Sequence, residues 1–586
     1  MTSSEIFAHD WLVVFKTANQ VYKIHNNREK LKEVIKNFSI LAGFNNHHYD
    51  DYILAELLSD KVVPKFYELS QKIISGETPK IRLNLPTIDV MQEMKMGVSL
   101  KEIEANLKMN IHETPIDFNI KRKLFPHEIE QVFKYCENDV NVTEEVFYKR
   151  KDYFQSKFEI IKEFKLNPIS IKNTRANLVS KVLKCKSYKP PVDRLHLRYD
   201  PNINFDNIPV QVENFYRHIE LNYRAGGDYH ELEKKSLKMD LNGVPHIYGF
   251  GGLHGAIDNL VYEGNILIVD VSSFYPSLMI NNNFISRASE SPELFKDVYK
   301  KRMEYKAVKD PRQGIFKILL NACFGATKSK YNMLFDPLQA NNICVNGQLI
   351  LTDLIIRLKN LGSVLQTNTD GVMLAYDEKN LKEIQKICSQ WELDYNLTLD
   401  YDYATKLVQR DVNNYCIKFQ NGEIKAKGRF GNYEGGSFER TSLSIIDMAL
   451  TEYYMHNKDI DTFIIEQYKS DNLLPFQLIA KGGNSFKKIV QEFLSLDDPQ
   501  YLDLQKVNRI FATNDKNLGA IYKIKEVDGV DRYHKIANCP DHAIVHNEEL
   551  EKFDKTLLDL NYYSELIKDS LIKREVGLYD KKHNTT

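Results

Sequence analysis

The sequence predicts an α/β multidomain protein, and three observations carry that reading. Short β-rich runs such as "WLVVFKTA" (11–18) and "VYKIH" (21–25) alternate with helical patterns as far as about residue 175. The 586 residues are enough for roughly four domains of ordinary size. Apolar residues make up 43% and charged residues 27%, with no low-complexity run or short-period repeat, so disordered and fibrous classes are excluded.

Along the chain, proline and charge gather at "CKSYKPPVDRLHLRYDPNINFDNIP" (185–209), which reads as a connector. Glycine-rich stretches and an apolar strand follow to about 285. A helical pair is then expected from about 292 to 327, broken at "KDPR" with Pro311 at the hairpin tip. Strands and helices mix again to about 435. The last 150 residues read as helix-rich at first and then rich in Lys and Asn, without a chemical cluster.

Lys and Arg number 79 against 80 Asp and Glu, a formal charge of −1, so any anion site must be local rather than a property of the whole chain. Seven scattered cysteines without a C-x-x-C pair argue against a zinc ribbon and a secreted disulfide framework, and a reducing compartment fits best. The start "MTSSEIFAHDW" lacks the marks of a signal peptide, and apolar runs such as "LILTDLII" fall short of a membrane span. A soluble, cytoplasmic protein is expected.

The chemistry begins with "GNILIVDVSSFYPSLMI" (264–280), where Asp270 closes an apolar run that suits a strand buried on both faces. Further on, "GSVLQTNTDGVMLAY" (362–376) reads as a β-hairpin presenting Asp370 beside an Asp370-Gly371 turn. If the hairpin pairs beside the strand ending at Asp270, the two carboxylates can share divalent cations. Magnesium is the natural ion, with manganese as an alternative, because carboxylate and phosphate oxygens suit it. Between the aspartates, "KILLNACFG" (317–325) places Lys317 and Asn321 on one helix face, and "KKRMEYK" (300–306) does the same for Arg302 and Lys306. Their spacing about Pro311 sets the cations facing each other as a clamp for a triphosphate.

These residues resemble the family B DNA polymerases, in order and spacing as well as content. "DVSSFYPS" (270–277) is similar to motif A, "KILLNACFG" to motif B and "NTDG" (368–371) to motif C. The resemblance implies a template-directed polymerase that adds deoxynucleotides to a primer 3′-hydroxyl by two-metal phosphoryl transfer. Asp270 and Asp370 would be the metal ligands, with the Val271 carbonyl assisting. Tyr275 would stack under the sugar and exclude a 2′-hydroxyl; Arg302, Lys306 and Lys317 would hold the triphosphate; Asn321 would line the nucleotide pocket. "IKAKGRF" (424–430) resembles the primer-binding segment, giving Lys425 and Lys427 the primer end. Gly251 and Gly252 in "YGFGGLHG" resemble the glycine pair that lets backbone approach template phosphate, and are preferred to Gly226 and Gly227. Asn368 departs from motif C, where an aspartate is usual, and lessens like-charge repulsion.

The first domain resembles the RNase H-like 3′–5′ exonuclease of the same family. "NHHYD" (46–50) supplies Asn46 and Asp50, "YCENDV" (135–140) supplies Tyr135 and Asp139, and "SSE" (3–5) supplies Glu5. Ser3 stands where an aspartate is usual, and most of the first strand is expected to be missing, so the exonuclease is expected to be weakened or inactive. The implied architecture is an exonuclease-like domain over 1–175 and a right-hand polymerase. In the latter, 176–285 form a connector and the first part of an antiparallel palm, 286–327 short two-helix fingers, 328–435 the palm, and 436–586 a thumb.

Only 47 residues separate Asp270 from Lys317 and 53 separate Lys317 from Asp370, without room for the insertions of protein-primed phage members. A nucleic-acid primer is the reading, and the compact size resembles bacteriophage replicases. Primer-template DNA and deoxynucleotides are the implied partners, with replication accessory proteins, no membrane, and a monomeric state. "AKGGNSFKK" (480–488) is a candidate thumb contact with duplex phosphates. The rival reading is a 3′–5′ nuclease whose carboxy-terminal part binds DNA; a non-catalytic relic and a reverse transcriptase fit the residues less well.

Overall fold

The structure is a computed structural model that describes all residues except 63, 96, 115, 432–437, 440–441, 484, 495–499 and 573–586. It is a mixed α/β fold with several sheets and divides into two compact units. The first comprises Met1–Thr174, Glu434–Ala449 and Asp459–Asp569; the second comprises Arg175–Tyr433, Leu450–Lys458 and Ser570–Thr586. Among the described residues, no helix is long and apolar enough to cross a membrane.

In the first unit, β1 (Thr2–Ile6), β2 (Trp11–Lys16) and β3 (Val21–His25) form an antiparallel sheet in that order, and β4 (Leu41–Gly43) pairs in parallel with β5 (Thr87–Asp89). The run "WLVVF" is continuously apolar because both faces of β2 are covered. Leu12 and Val14 pack with Val132, Cys136 and Val140 of α2 (Pro126–Lys149), while Val13 and Phe15 pack with Leu31, Ile53 and Leu57. The expectation that most of the first strand is missing is corrected here, since all five residues of β1 pair with β2, from Thr2↔Phe15 to Ile6↔Trp11. Ahead of α2 lies the short helix α1 (Leu100–Asn106), started by a reciprocal cap in which the Ser99 backbone N–H donates to Glu102 Oε2 at 2.8 Å.

The second unit is built on nine strands: β6 (Leu237–Leu241), β7 (Val244–Tyr248), β8 (His254–Ala256), β9 (Leu260–Val271), β10 (Gly362–Asn368), β11 (Gly371–Tyr376), β12 (Leu399–Asp411), β13 (Asn414–Phe419) and β14 (Ile424–Lys427). Their order is β14-β13-β12-β9-β11-β10-β8-β7-β6, with antiparallel neighbours. Strand alternation splits "ILIV" between two cores. Leu267 and Val269 join Leu349, Leu354 and Leu358 of a long buried helix, whereas Ile266 and Ile268 join Met373, Leu407 and Ile417 on the opposite face. After β9 come α3 (Phe274–Asn281), the helical pair α4 (Pro292–Ala307) and α5 (Gln313–Lys328), and that long helix, α6 (Pro337–Leu358). Pro311 lies between the paired helices, because proline cannot continue the first of them. The connector has no regular structure from 186 to 204, so its backbone needs other partners. The α6 side chains of Asn342 and Asn346 accept from the N–H groups of Arg198 and Asp200, at 2.9 and 2.6 Å.

The carboxy-terminal stretch returns to the first unit with strands that the sequence does not announce. β15 (Leu478–Lys481), β18 (Val507–Ala512) and β21 (Ala543–Val545) make one sheet; β16 (Lys488–Phe493), β17 (Gln500–Leu504), β19 (Leu518–Val527) and β20 (Val530–Lys535) make another, in the order β17-β16-β19-β20. Apolar alternation is missing from β17 and β20 because both are open to solvent. The fully buried Arg509 of β18 ties this stretch to the amino-terminal part of the same unit. Its guanidinium donates to the carbonyls of Ala105, Met109 and Glu548 and to Gln477 Oε1, and among the described residues no carboxylate pairs with it. Arg509→Met should therefore cost roughly 2–4 kcal/mol, since it leaves several buried acceptors unmatched. Urea unfolding should show that loss, with Arg532→Gln on exposed β20 changing stability by less than about 0.5 kcal/mol.

Candidate active site

Asp270 sits near the end of β9, flanked on both sides by neighbouring strands. The register sets it opposite Gly371 of β11 and Asp400 of β12. The hairpin of β10 and β11 closes through Thr369 and Asp370, with Asn368 paired to Gly371, so the turn lies one residue earlier than the Asp370-Gly371 turn expected from the sequence. Thr369 adopts φ +60°, and its N–H donates to the Leu253 carbonyl at 2.8 Å. The Val271 N–H then donates to the Asp370 carbonyl at 2.7 Å, which locks the residue after one aspartate to the other aspartate. Gly371 is required by closeness, because a Cβ there would lie 1.8 Å from Asp270 Oδ1.

Burial raises the Asp270 carboxyl to about 6, with the Asp370 charge adding to the effect and Lys425 opposing it. Burial raises Asp370 as well, opposed by Lys425 and Lys427. Neither carboxylate forms an ion pair among the described residues. Two acids of like charge without an ion-pair partner among the described residues, Asp270 half-buried and Asp370 exposed at the turn, are a place for an external cation.

One cavity of about 600 Å³ opens on this pair and is lined by Asp270, Val271, Tyr275, Arg302, Lys306, Lys317, Asn321 and Asp370, all of them anticipated from the sequence. Arg302 is 6% exposed and donates to Ser273 Oγ, while Lys306 reaches Ser272 Oγ at 3.4 Å. The Tyr275 ring lies 4.4 Å from that of Phe324, centroid to centroid. A second cavity of about 380 Å³ shares both aspartates and adds Lys425, Lys427, Tyr415 and Asp402.

The glycine pair borders the aspartate turn. Gly251 faces open space, but a Cβ on Gly252 would meet Thr369 Oγ1 at 2.4 Å, so Gly252 makes room for the aspartate turn. Asp400, Asp402, Ser272, Ser273 and Phe324 escaped the sequence reading. The two acids had a signal, because "LDYDY" alternates carboxylate and ring with period two.

A separate acidic pocket lies in the first unit. Ser3, Glu5, Asp50 and Asp139 line a cavity of about 410 Å³, and Asn46 does not. Asn46 is fully buried and donates instead to Asp51 Oδ1 at 2.9 Å. Asp50 Oδ1 accepts from the Ser4 N–H at 3.0 Å and from Ser4 Oγ at 2.6 Å; burial still raises its carboxyl to about 7. Burial and the nearby Asp139 and Asp50 charges hold Glu5 well above the usual carboxylate range. The residue that sequence reading missed is Lys101. Its ammonium donates to Asp139 Oδ1 at 2.6 Å and Glu104 Oε1 at 2.8 Å, and stands 4.4 Å from the centre of the Tyr135 ring. Among the described residues, neither unit has a cluster of three or more His, Cys, Asp or Glu arranged to hold a metal ion.

No protein-family model matches the chain. A 141-residue stretch is 26% identical to DNA polymerase 1 of Saccharolobus solfataricus, covering 22% of this chain and 16% of that protein. Over 210 residues the chain is 22% identical to DNA polymerase 1 of Sulfolobus acidocaldarius, covering 28% of this chain and 24% of that protein. The matches thus span less than a quarter of either relative. The structure of the family B DNA polymerase of Pyrobaculum calidifontis aligns with 98% of this chain and 77% of that one, at 12% identity and a TM-score of 0.40.

Gly371→Ala is expected to force β11 away from Asp270 and destabilise the second unit by roughly 1–3 kcal/mol. Thermal denaturation measures that cost, and an unchanged melting temperature would contradict the close approach.

Proposed function

We propose that the protein is a template-directed DNA polymerase of the family B type, extending a primer 3′-hydroxyl with deoxynucleotides. The observation that carries this reading is the meeting of Asp270 and Asp370, both without an ion-pair partner among the described residues, at a cavity walled by Arg302, Lys306 and Lys317. Magnesium held by these two carboxylates would neutralise charge at the reacting phosphate, and two acids fit an ion that keeps water and substrate oxygens as its remaining ligands.

The chain's own residues do the rest by position and charge. Arg302 and Lys306 are held beside Ser273 and Ser272, within reach of a triphosphate, and Lys317 faces the same space. Tyr275, backed by Phe324, offers a flat wall to the sugar, and Asn321 borders the base side. Lys425 and Lys427 border the cavity on the other side of the aspartates, where a primer terminus would enter. In the reaction the primer O3′ bonds to the α-phosphorus, the bond from that phosphorus to the β-phosphate oxygen breaks, and pyrophosphate leaves as the hydroxyl proton is lost.

The first-unit pocket does not fit a pair of catalytic metals. A serine replaces one carboxylate, the Lys101 ammonium holds Asp139, and Ser4 holds Asp50. That combination supports a domain whose proofreading is weakened or inactive and disfavors the nuclease reading.

Primer extension tests the assignment. Asp370→Ala should lower the extension rate by roughly 10³-fold or more while primer-template binding persists, and robust extension by that variant would refute the site. Tyr275→Ala should raise ribonucleotide use relative to deoxynucleotide use by roughly ten- to a hundredfold, read from single-nucleotide kinetics. A labelled single strand incubated with the protein and magnesium should keep its 3′ end; steady shortening would overturn the account of the Lys101 pocket.

A further inference from the structure

The turn that presents Asp370 stands against its own local preferences. Asp-Gly is a dipeptide that two-residue hairpins favour at the tip, and "NTDG" offers one at 370–371. The tip instead falls on Thr369 and Asp370, where Thr369 takes φ +60° and Asp370 has no positive φ. A positive φ at the first tip position alone is normally supplied by glycine, and a β-branched residue there is a genuine outlier. A tip at Asp370-Gly371 would pair Thr369 with Val372 as ordinary strand residues. It would also slide β10 and β11 past each other by two residues, about 6.8 Å. Because β8 and β9 are joined through 257–259 alone, either the β8–β10 register or the Gly371↔Asp270 register would then be lost.

Two hydrogen bonds between histidine and threonine hold β10 where it is. His246 of β7 is fully buried, and its Nδ1–H donates to the Val244 carbonyl at 2.9 Å; Nε2 is left to accept from the equally buried Thr367 hydroxyl at 2.9 Å. The ring reaches Thr367 across β8 because Gly255, opposite both residues in the register, has no side chain to block it. On β8 itself, His254 Nε2 stands 2.9 Å from Thr369 Oγ1, and the neighbouring Leu253 carbonyl accepts the Thr369 N–H at 2.8 Å. Burial lowers the pKa of both rings, which favours their neutral forms. A slide of β10 would leave the buried His246 and Thr367 unmatched, and such groups are costly to strand.

We propose that His254 and His246 are positioning residues for nucleotide addition, acting through Thr369 and Thr367 to fix the β10–β11 register in which Asp370 meets Asp270. With β10 so held, moving the tip would bring Met373 opposite Asp270, at a place where a side chain collides with the carboxylate. Both routes to the locally favoured tip are thereby closed. The effect on nucleotide addition rests on the polymerase reading, whereas the register itself does not.

The experiment combines single-turnover primer extension with amide hydrogen exchange on His254→Leu and His254→Gln, each made in the parent and in a Thr369→Gly background. His254→Leu should lower the maximal extension rate roughly thirty- to a hundredfold while the apparent affinity for nucleotide stays within about threefold, because geometry rather than binding is lost. It should speed exchange of the Thr369 and Val271 amides by roughly tenfold or more and leave the β12–β13 ladder unchanged. His254→Gln keeps a hydrogen-bonding group at the end of its side chain and should regain most of the rate. Thr369→Gly makes the tip Gly-Asp, which suits a positive φ at the first position, so adding His254→Leu there should cost less than about threefold. Unaltered exchange in His254→Leu, a Gln variant as impaired as the Leu variant, or an equal loss in both backgrounds would overturn the proposal. If His254→Leu does not fold, recovery of folding in the Thr369→Gly background supports the same coupling and continued failure there removes it. A parent that extends no primer ends the polymerase reading, and the exchange rates then decide the register by themselves.

Discussion

The second unit depends on one short backbone contact, the hydrogen bond from the Val271 N–H to the Asp370 carbonyl. It forms only because Gly371 lets β11 come flush against β9, where any side chain would collide with the Asp270 carboxylate. Gly252 performs the same service on the other side of the turn, against Thr369. Two acids that would separate in water are thus held together by neutral backbone, and their mutual repulsion is carried by the fold.

The two units handle clustered carboxylates in opposite ways. Lys425 opposes the raised proton affinity of Asp270, and Lys425 and Lys427 that of Asp370, yet among the described residues neither lysine forms an ion pair with these acids. Around Asp139, Lys101 closes to hydrogen-bonding distance and is itself held by Glu104. Burial would favour a neutral amine, but Asp139 and Glu104 outweigh it and raise the Lys101 pKa. In the second unit the two acids carry no lysine within hydrogen-bonding distance among the described residues; in the first, Lys101 ties Asp139 but not Glu5 or Asp50.

Much of the second unit was legible in the sequence because its signals are local. "ILIV" announces a strand covered on both faces, Pro311 marks the break between α4 and α5, and the turn residues of "TNTDG" announce a hairpin. Asp270, Arg302, Lys306, Lys317 and Asn321, which line the larger cavity, were legible for the same reason, since helical and strand periodicity put each on a definite face, whereas Val271 and Tyr275 came from the family resemblance. Asp400 and Asp402 were passed over although they alternate along a strand, because nothing local says that β12 lies beside β9. Asn46 was assigned to the exonuclease site by the resemblance of "NHHYD", and its side chain turns inward to Asp51. The carboxy-terminal strands were missed because solvent-exposed strands such as "VDRYHK" carry no apolar alternation.

By itself the sequence determined the identities of the chemical groups and their local geometry: which acids end strands, which cations share a helix face, where the chain must turn. Those follow from backbone sterics and periodicity within a few residues. Only tertiary structure decided which groups meet across long stretches of chain. The approach of Asp270 to Asp370, the capture of Asp139 by Lys101 and the burial of Arg509 among carbonyls all depend on strand order and packing, which no local pattern encodes. The reason is physical: propensity acts through neighbouring dihedrals, whereas contact between distant residues is set by how whole layers bury their apolar faces.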